Sequence, residues 1–146
     1  MEHEIKELIK EVLEKGYLMS LATLDEGGVW VCDVIYIFDE DFNIYWMSKP
    51  DRRHSLALEK EPKVAGTITI SRQEEDNLGI QFEGVAEKIE GARHDLAKKH
   101  YAKRKKPEPK EDEDVLHGSY WYVFKPKKID LINEKHFGFD KQVLKF

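Results

Sequence analysis

The chain has 146 residues, with 24 Lys and Arg against 29 Asp and Glu, a net charge of -5 and a single cysteine. That length suits one globular domain, residues 1–146, because a chain of this size buries roughly 68–70% of its unfolded surface and needs no disulfide staple. The acidic balance argues against a partner nucleic acid, no apolar run approaches the ~20 residues of a membrane span, and the opening MEHEIKELIK has no apolar core, so a cytoplasmic protein is expected.

Ile5, Leu8, Ile9, Val12 and Leu13 recur at helical spacing, with Glu4, Lys6, Glu7, Lys10 and Glu14 on the other side, and predict an amphipathic opening helix. Gly16 is expected to end it in a left-handed C-cap. Tyr17 to Leu24 then reads as a strand, Asp25-Glu26-Gly27-Gly28 as a turn, and Val29 to Phe38 as the returning strand of a β-hairpin. Asp39-Glu40-Asp41 makes a further turn into a third strand, Phe42 to Met47, which predicts a three-stranded antiparallel meander.

The second strand is apolar on both faces apart from Asp33: Trp30, Cys32, Val34, Tyr36 and Phe38 alternate with Val29, Val31, Ile35 and Ile37. A strand with one face in water alternates more cleanly. The pattern therefore predicts a central strand covered on both sides, by a barrel interior and a partner or ligand, or by helices.

Ser48-Lys49-Pro50 leads to a short helix with Asp51 as its expected N-cap, apolar contacts from Leu56 and Leu58, and a stop at Pro62. Lys63 to Ile70 and Leu78 to Ile89 read as the fourth and fifth strands, and Gly66, Gly79 and Gly84 within them mark bulges, bends or close backbone approach. Arg93 to Lys103 reads as a helix. The following RKKPEPKEDED, residues 104–114, has charge and proline but nothing to bury, and predicts a mobile loop over about 104–117. Ser119 to Phe124 and Lys128 to Ile132 read as two further strands before a tail containing Phe137, Phe139, Val143, Leu144 and Phe146. The sum is a mainly β, α+β fold: an antiparallel six- or seven-stranded barrel or curved sheet with peripheral helices.

Glycine-rich phosphate loops, an H-E-x-x-H pair, paired Cys/His spacing and a G-x-S-x-G elbow are all missing from the sequence, so a metal site, a P-loop and a hydrolase elbow are not expected. Cys32, inside an apolar strand, reads as a buried inert thiol. What remains is Ser48-Lys49-Pro50-Asp51-Arg52-Arg53-His54-Ser55, a basic patch at a helix start. Backbone N–H groups at a helix N-terminus, joined by guanidinium groups, make an anion site; the same arginines also suit a solvated surface.

The order of these words carries a resemblance. Leu18-Met19-Ser20-Leu21-Ala22-Thr23-Leu24, the Gly27-Gly28 turn, Trp30 to Phe38, Ile44-Tyr45-Trp46-Met47-Ser48, Arg52-Arg53-His54-Ser55, Glu61-Pro62-Lys63-Val64-Ala65-Gly66 and Ile80-Gln81-Phe82-Glu83-Gly84-Val85-Ala86 together resemble the pyridoxamine phosphate oxidase-like, FMN-binding split-barrel family. The resemblance covers Glu4 to Ile89 best and Tyr120 to Phe146 less well. It implies a homodimer with FMN in the groove between subunits, phosphate held at Arg52, Arg53 and His54 with Ser48 and Lys49 beside it, and Asp33, Val34 and Ile35 along the flavin ring. It further implies that Gln81 faces the cofactor, and offers Trp121 as a ring contact from the other subunit or as plain core.

Departures from the family pattern limit the activity. His54 stands where a lysine is common, which predicts affinity falling as pH rises through about 6.5. Asp33 brings a carboxylate near the flavin edge, able to accept from a ring N–H and unfavourable to an anionic reduced ring. The C-terminal Arg-x-His element of true pyridoxamine phosphate oxidases is missing from HFGFDKQVLKF. The expectation is an FMN-dependent oxidoreductase or flavin reductase acting on a small molecule, without an identified acid or base. The alternatives are a non-catalytic flavin or haem binder acting as carrier or stress sensor, a deazaflavin-dependent reductase, and a cofactor-free interaction module.

Overall fold

The structure is a computed structural model of residues 1–146. Its elements are α1 (Glu2–Lys15), β1 (Leu18–Asp25), β2 (Gly28–Ile35), β3 (Ile37–Phe38), β4 (Ile44–Ser48), α2 (Arg53–Lys60), β5 (Lys63–Thr69), β6 (Leu78–Ile89), α3 (His94–Lys103), β7 (Tyr120–Asn133), α4 (Glu134–Phe137) and β8 (Gln142–Lys145). No helix is long and apolar enough to cross a membrane. The fold is an α+β split barrel of the expected kind, with eight strands in one sheet instead of six or seven.

The sheet runs in the order β2-β1-β5-β6-β7-β4-β3, with β8 added to β7. This overturns the three-stranded meander. The apolar run read as one strand divides at Tyr36: β2 pairs with β1 at one end of the path, whereas β3 pairs with β4 at the other. One residue separates the two ends, so the sheet must curl until its edges meet there. Tyr36 is fully buried and its hydroxyl donates to the Leu13 carbonyl of α1 at 2.7 Å.

The barrel encloses Met19, Leu21, Ile44, Trp46, Ile68, Ile80, Phe124, Ile129 and Leu131, all about 0–1% exposed. Helix α1 adds Ile9, Val12 and Leu13 to the same core. A smaller cluster forms where α3 lays Leu96 and Ala97 against Ile37, Val115 and Trp121. Because α3 covers one face and the barrel the other, Trp121 to Phe124 of β7 are buried on both sides. That double burial was expected of the second strand, but β2 is an edge strand with Val29 at 70% and Val31 at 58% exposure.

Of two glycines with an expected role, one departs from it and one keeps it. Gly16 has an extended backbone, φ -72° and ψ 151°, and not a left-handed cap; a Cβ there would strike the Tyr36 hydroxyl and, at 2.6 Å, the Ile68 side chain. Gly84 does mark a bulge: the β6–β7 register shifts between Glu83 and Gly84, placing Pro126 opposite Gly84. The extra residue, Lys127, lets Pro126 sit mid-strand without an N–H to contribute, so the two expected C-terminal strands are one 14-residue strand.

Helix α2 begins at Arg52 as N-cap, not at Asp51, and no side chain caps it. The segment between α3 and β7 also differs from the expectation of nothing to bury, since Pro109 and Val115 are both buried. The tail forms α4 and β8, with Leu144 in the main core.

Removing the Tyr36 hydroxyl leaves the Leu13 carbonyl without that donor, so Tyr36→Phe is expected to destabilise the fold by about 1–2 kcal/mol. Urea unfolding should show a lower midpoint with an unchanged slope; an unchanged midpoint would show that the bond contributes nothing to closure.

Candidate functional site

The basic patch follows from two local constraints. Strand β4 ends at Ser48, and the backbone turns through Lys49 and Pro50, with the Arg52 N–H donating to the Lys49 carbonyl at 3.3 Å. The Arg52 carbonyl accepts from Ser55 and Leu56 at 3.0 and 2.9 Å, starting α2. The amides of Arg53 and His54, in the uncapped first turn, are left to point at whatever lies beyond the helix end.

The side chains at this end fall into three groups. Ser48 Oγ and His54 Nε2 are 2.8 Å apart, joining the end of β4 to the start of α2. Burial, and secondarily the Arg52 charge, push His54 below the ordinary imidazole value of 6.5, so its titration moves to lower pH than sequence reasoning gives and it is neutral at pH 7. Arg52 is largely exposed and touches only Asp51, at 3.4 Å. Lys49 Nζ donates to the His117 carbonyl at 2.8 Å, which draws the 104–119 segment over the turn.

Arg53 is differently placed. Its Nε and Nη2 fork onto the two Asp25 oxygens at 2.8 and 3.1 Å, and its guanidinium lies 4.6 Å from the Trp30 ring centroid. The Arg53 guanidinium holds the Asp25 carboxyl below its usual range. Arg53 therefore ties α2 to the β1–β2 hairpin, and three of its five N–H donors, two on Nη1 and one on Nη2, remain for another acceptor. Asp25, read from sequence as a turn residue, and Trp30, read as strand core, are the two partners that sequence reasoning missed. The signal was the need for an acceptor beside each of two adjacent arginines at a helix start.

The remaining candidates lie elsewhere. Asp33 accepts from Ser20 Oγ at 2.6 Å, on the outer sheet face. Paired residues continue this row across the sheet as Asp33, Ser20, Thr67, Gln81 and Asp130. Asp33 and Gln81 thus share a face but stand three strand spacings apart, about 14 Å at ~4.8 Å each. Gln81 Oε1 accepts from Lys141 Nζ at 2.7 Å. Ile35 lies on the Asp33 face, whereas Val34 alternates inward and packs on the core. No hydrogen bond or ion pair joins this row to the patch at residues 48–54.

Trp121 is corrected outright. It is 0% exposed, its Nε1 donates to the Ala92 carbonyl at 2.9 Å, and it meets His100 edge to face. The packed-core alternative holds, and the indole offers no surface to a ligand or a second subunit. Cys32 is partly buried, and burial raises its thiol pKa, in line with an inert thiol.

An anionic group fits the patch. The Arg52 guanidinium and the open amides of Arg53 and His54 are donors at one helix end. The outer face of β1 and β2 exposes Leu18, Leu24, Val29 and Val31, 47–70% each, more apolar surface than single strands ordinarily leave in water; of these, Leu24 lines the same cleft as Arg53, whereas Asp25 and Trp30, the partners of Arg53, lie on the other face of the hairpin.

His100 lies beside Trp121, and burial with the nearby Arg104, Lys103 and Lys106 charges lowers its pKa to about 4. A histidine neutral in the fold but not in the unfolded chain stabilises fully above pH 6.5 and loses that stabilisation as pH falls toward 4. Urea midpoints should fall between pH 6.5 and 4.5, before most carboxylates titrate, and His100→Gln should flatten that part of the profile.

Comparison with known proteins agrees with the fold. The family model described as "Pyridoxamine 5'-phosphate oxidase" matches residues 5–133. The UPF0306 protein plu4501 of Photorhabdus laumondii is 30% identical over 100 residues, covering 67% of this chain and 70% of that one. Among solved structures, General Stress Protein 26 from Bacillus anthracis superposes with a TM-score of 0.73 at 18% identity, covering 98% of this chain and 99% of that chain. A heme binding protein from Mycobacterium smegmatis gives 0.69 at 18% identity over 96% of this chain and 57% of that longer chain. The match over residues 5–133 makes this chain a member of the pyridoxamine 5'-phosphate oxidase family, and its curled antiparallel sheet has the split-barrel fold.

Proposed function

We propose that the chain binds FMN as a homodimer and serves as a flavin-dependent oxidoreductase or flavin reductase for a small molecule. The observation that carries this reading is the open donor set at the start of α2, with the exposed Leu24 of β1 lining the same cleft as Arg53. Arg52, with the amides of Arg53 and His54, holds the terminal phosphate; neutral His54 fixes Ser48 through their hydrogen bond. Arg53, already paired with Asp25, aligns the helix and can add the N–H donors that this pair leaves unused on Nη1 and Nη2. A second copy covering Val29, Val31, Leu18 and Leu24 would remove water from that face and supply the other wall of the groove.

When bound, the flavin supplies the hydride or electron chemistry. The protein's part is binding, orientation and exclusion of water, with Asp33 held by Ser20 as an acceptor on the outer face. With the Arg-x-His element missing from the C-terminus, oxidation of pyridoxamine phosphate is not proposed. A second reading, a non-catalytic flavin or haem carrier, is favoured by the likeness to a heme binding protein.

Titration of the colourless protein with FMN, followed by flavin fluorescence and by oligomeric mass, tests the reading. One FMN per subunit of a dimer is expected. Arg52→Glu should weaken binding tenfold or more with little change in stability, whereas Arg53→Glu should weaken binding and also destabilise the hairpin, because it loses Asp25 and Trp30. No saturation at micromolar FMN overturns the flavin reading; a Soret band on haem addition supports the carrier, and turnover with a nicotinamide donor separates enzyme from carrier.

A further inference from the structure

None of the residues around one further cavity, about 390 Å³ in volume, belongs to the flavin site proposed above. It lies between the last turns of α1, the loop from β5 to β6 and the start of α4. Its apolar wall is Ile70 and Leu78, both half-buried and packed against the barrel core. Leu78 pairs with Asn133 across β6 and β7, so the two side chains share one face of the sheet. Two bonds hold the loop against α4: the Asn77 N–H donates to the Glu134 carboxylate at 2.7 Å, and the Glu134 N–H to the Asn77 carbonyl at 3.0 Å.

Asn133 is the buried polar group of this cavity, 6% exposed. Its Oδ1 accepts from the His136 N–H and from His136 Nδ1, both at 3.1 Å. A backbone N–H can only donate, which fixes the amide oxygen on that side and turns Nδ2 the other way. Nδ2 carries two N–H bonds with no acceptor in the protein, on a side chain that lines the cavity. Of the charges around it, Glu11 is taken by Lys15 at 2.6 Å and Glu75 by the Arg72 N–H at 2.6 Å. Asp76 in the loop and Lys135 on α4 have neither an ion pair nor a hydrogen bond. The cavity therefore offers a free carboxylate, a free ammonium and a buried amide donor beside an aliphatic wall.

We propose that this cavity binds a free α-amino acid with an aliphatic side chain. The ligand carboxylate accepts from Asn133 Nδ2 and pairs with Lys135, its ammonium pairs with Asp76, and its side chain lies on Ile70 and Leu78. A protein charge opposite each ligand charge replaces the water lost on binding. An amine or a carboxylate alone leaves one of those two protein charges unanswered.

Calorimetric titration of the whole protein with L-leucine, isoamylamine and isocaproate tests this. One L-leucine per chain should bind saturably, with the amine and the carboxylate each at least tenfold weaker. Asn133→Asp keeps the acceptor for His136 and puts an oxygen in place of Nδ2, so it should weaken L-leucine at least tenfold while leaving FMN binding unchanged. Should Asn133→Asp fail to fold, the exposed positions decide, since Asp76→Asn and Lys135→Met should each weaken L-leucine by a similar factor. No saturation at millimolar L-leucine overturns the proposal. So does equal affinity for either analogue, or full affinity in both Asp76→Asn and Lys135→Met.

Discussion

The whole sheet depends on closure at Tyr36. Its path begins at β2 and ends at β3, and those two strands are joined by that single residue. Chain connectivity therefore forces the two edges together, and the ring that fills the seam must be both large and anchored. Tyr36 does this with a wholly buried ring, a hydroxyl bound to α1 and a carbonyl bound to α3. The extended backbone at Gly16 belongs to the same seam, since a side chain there would displace the phenol. Residues far apart in sequence, Leu13, Gly16, Ile68 and Lys103, thus converge on one point.

Closure also decides what is left outside. With the barrel interior filled by the aliphatic and aromatic core, the outer face of β1 and β2 has no helix over it, while α3 takes the equivalent place over β7. The asymmetry explains why one apolar strand is in water and another is covered twice. The ion pair between Arg53 and Asp25, stacked on Trp30, then fixes the start of α2 against the hairpin that borders the uncovered face. The start of α2 is in this way held against the hairpin by an interaction that itself needs no ligand.

Much of this was legible in the sequence, and the failures have physical causes. The period of α1, the bounds of β6 and the glycine bulge at Gly84 follow from local pattern, which needs no knowledge of partners. The division at Tyr36 was not legible, because a run of alternating apolar residues reads the same whether it pairs with one neighbour or with two at opposite ends of a sheet. The single strand β7 was read as two, because the bulge that accommodates Pro126 within it depends on residues some forty positions earlier. At the site, residue types pointed to the start of α2, but charge alone could not separate Arg52, nearly free, from Arg53, already held by Asp25. Trp121 shows the reverse limit: an aromatic in a late strand looks the same as core or as contact until the helix that covers it is in place.

The long reach of β4 has a consequence for how the chain assembles. Apart from the two residues of β3, Ile44–Ser48 pairs only with Tyr120–Phe124, so this stretch waits for a partner more than seventy positions downstream. The β1–β2 and β5–β6 hairpins can form early from neighbouring segments, whereas β4 and the seam at Tyr36 must wait until β7 arrives. A chain emerging from the ribosome would hold Trp46 and Ile44 unshielded through most of its synthesis, and the barrel would shut as one of the last events of folding.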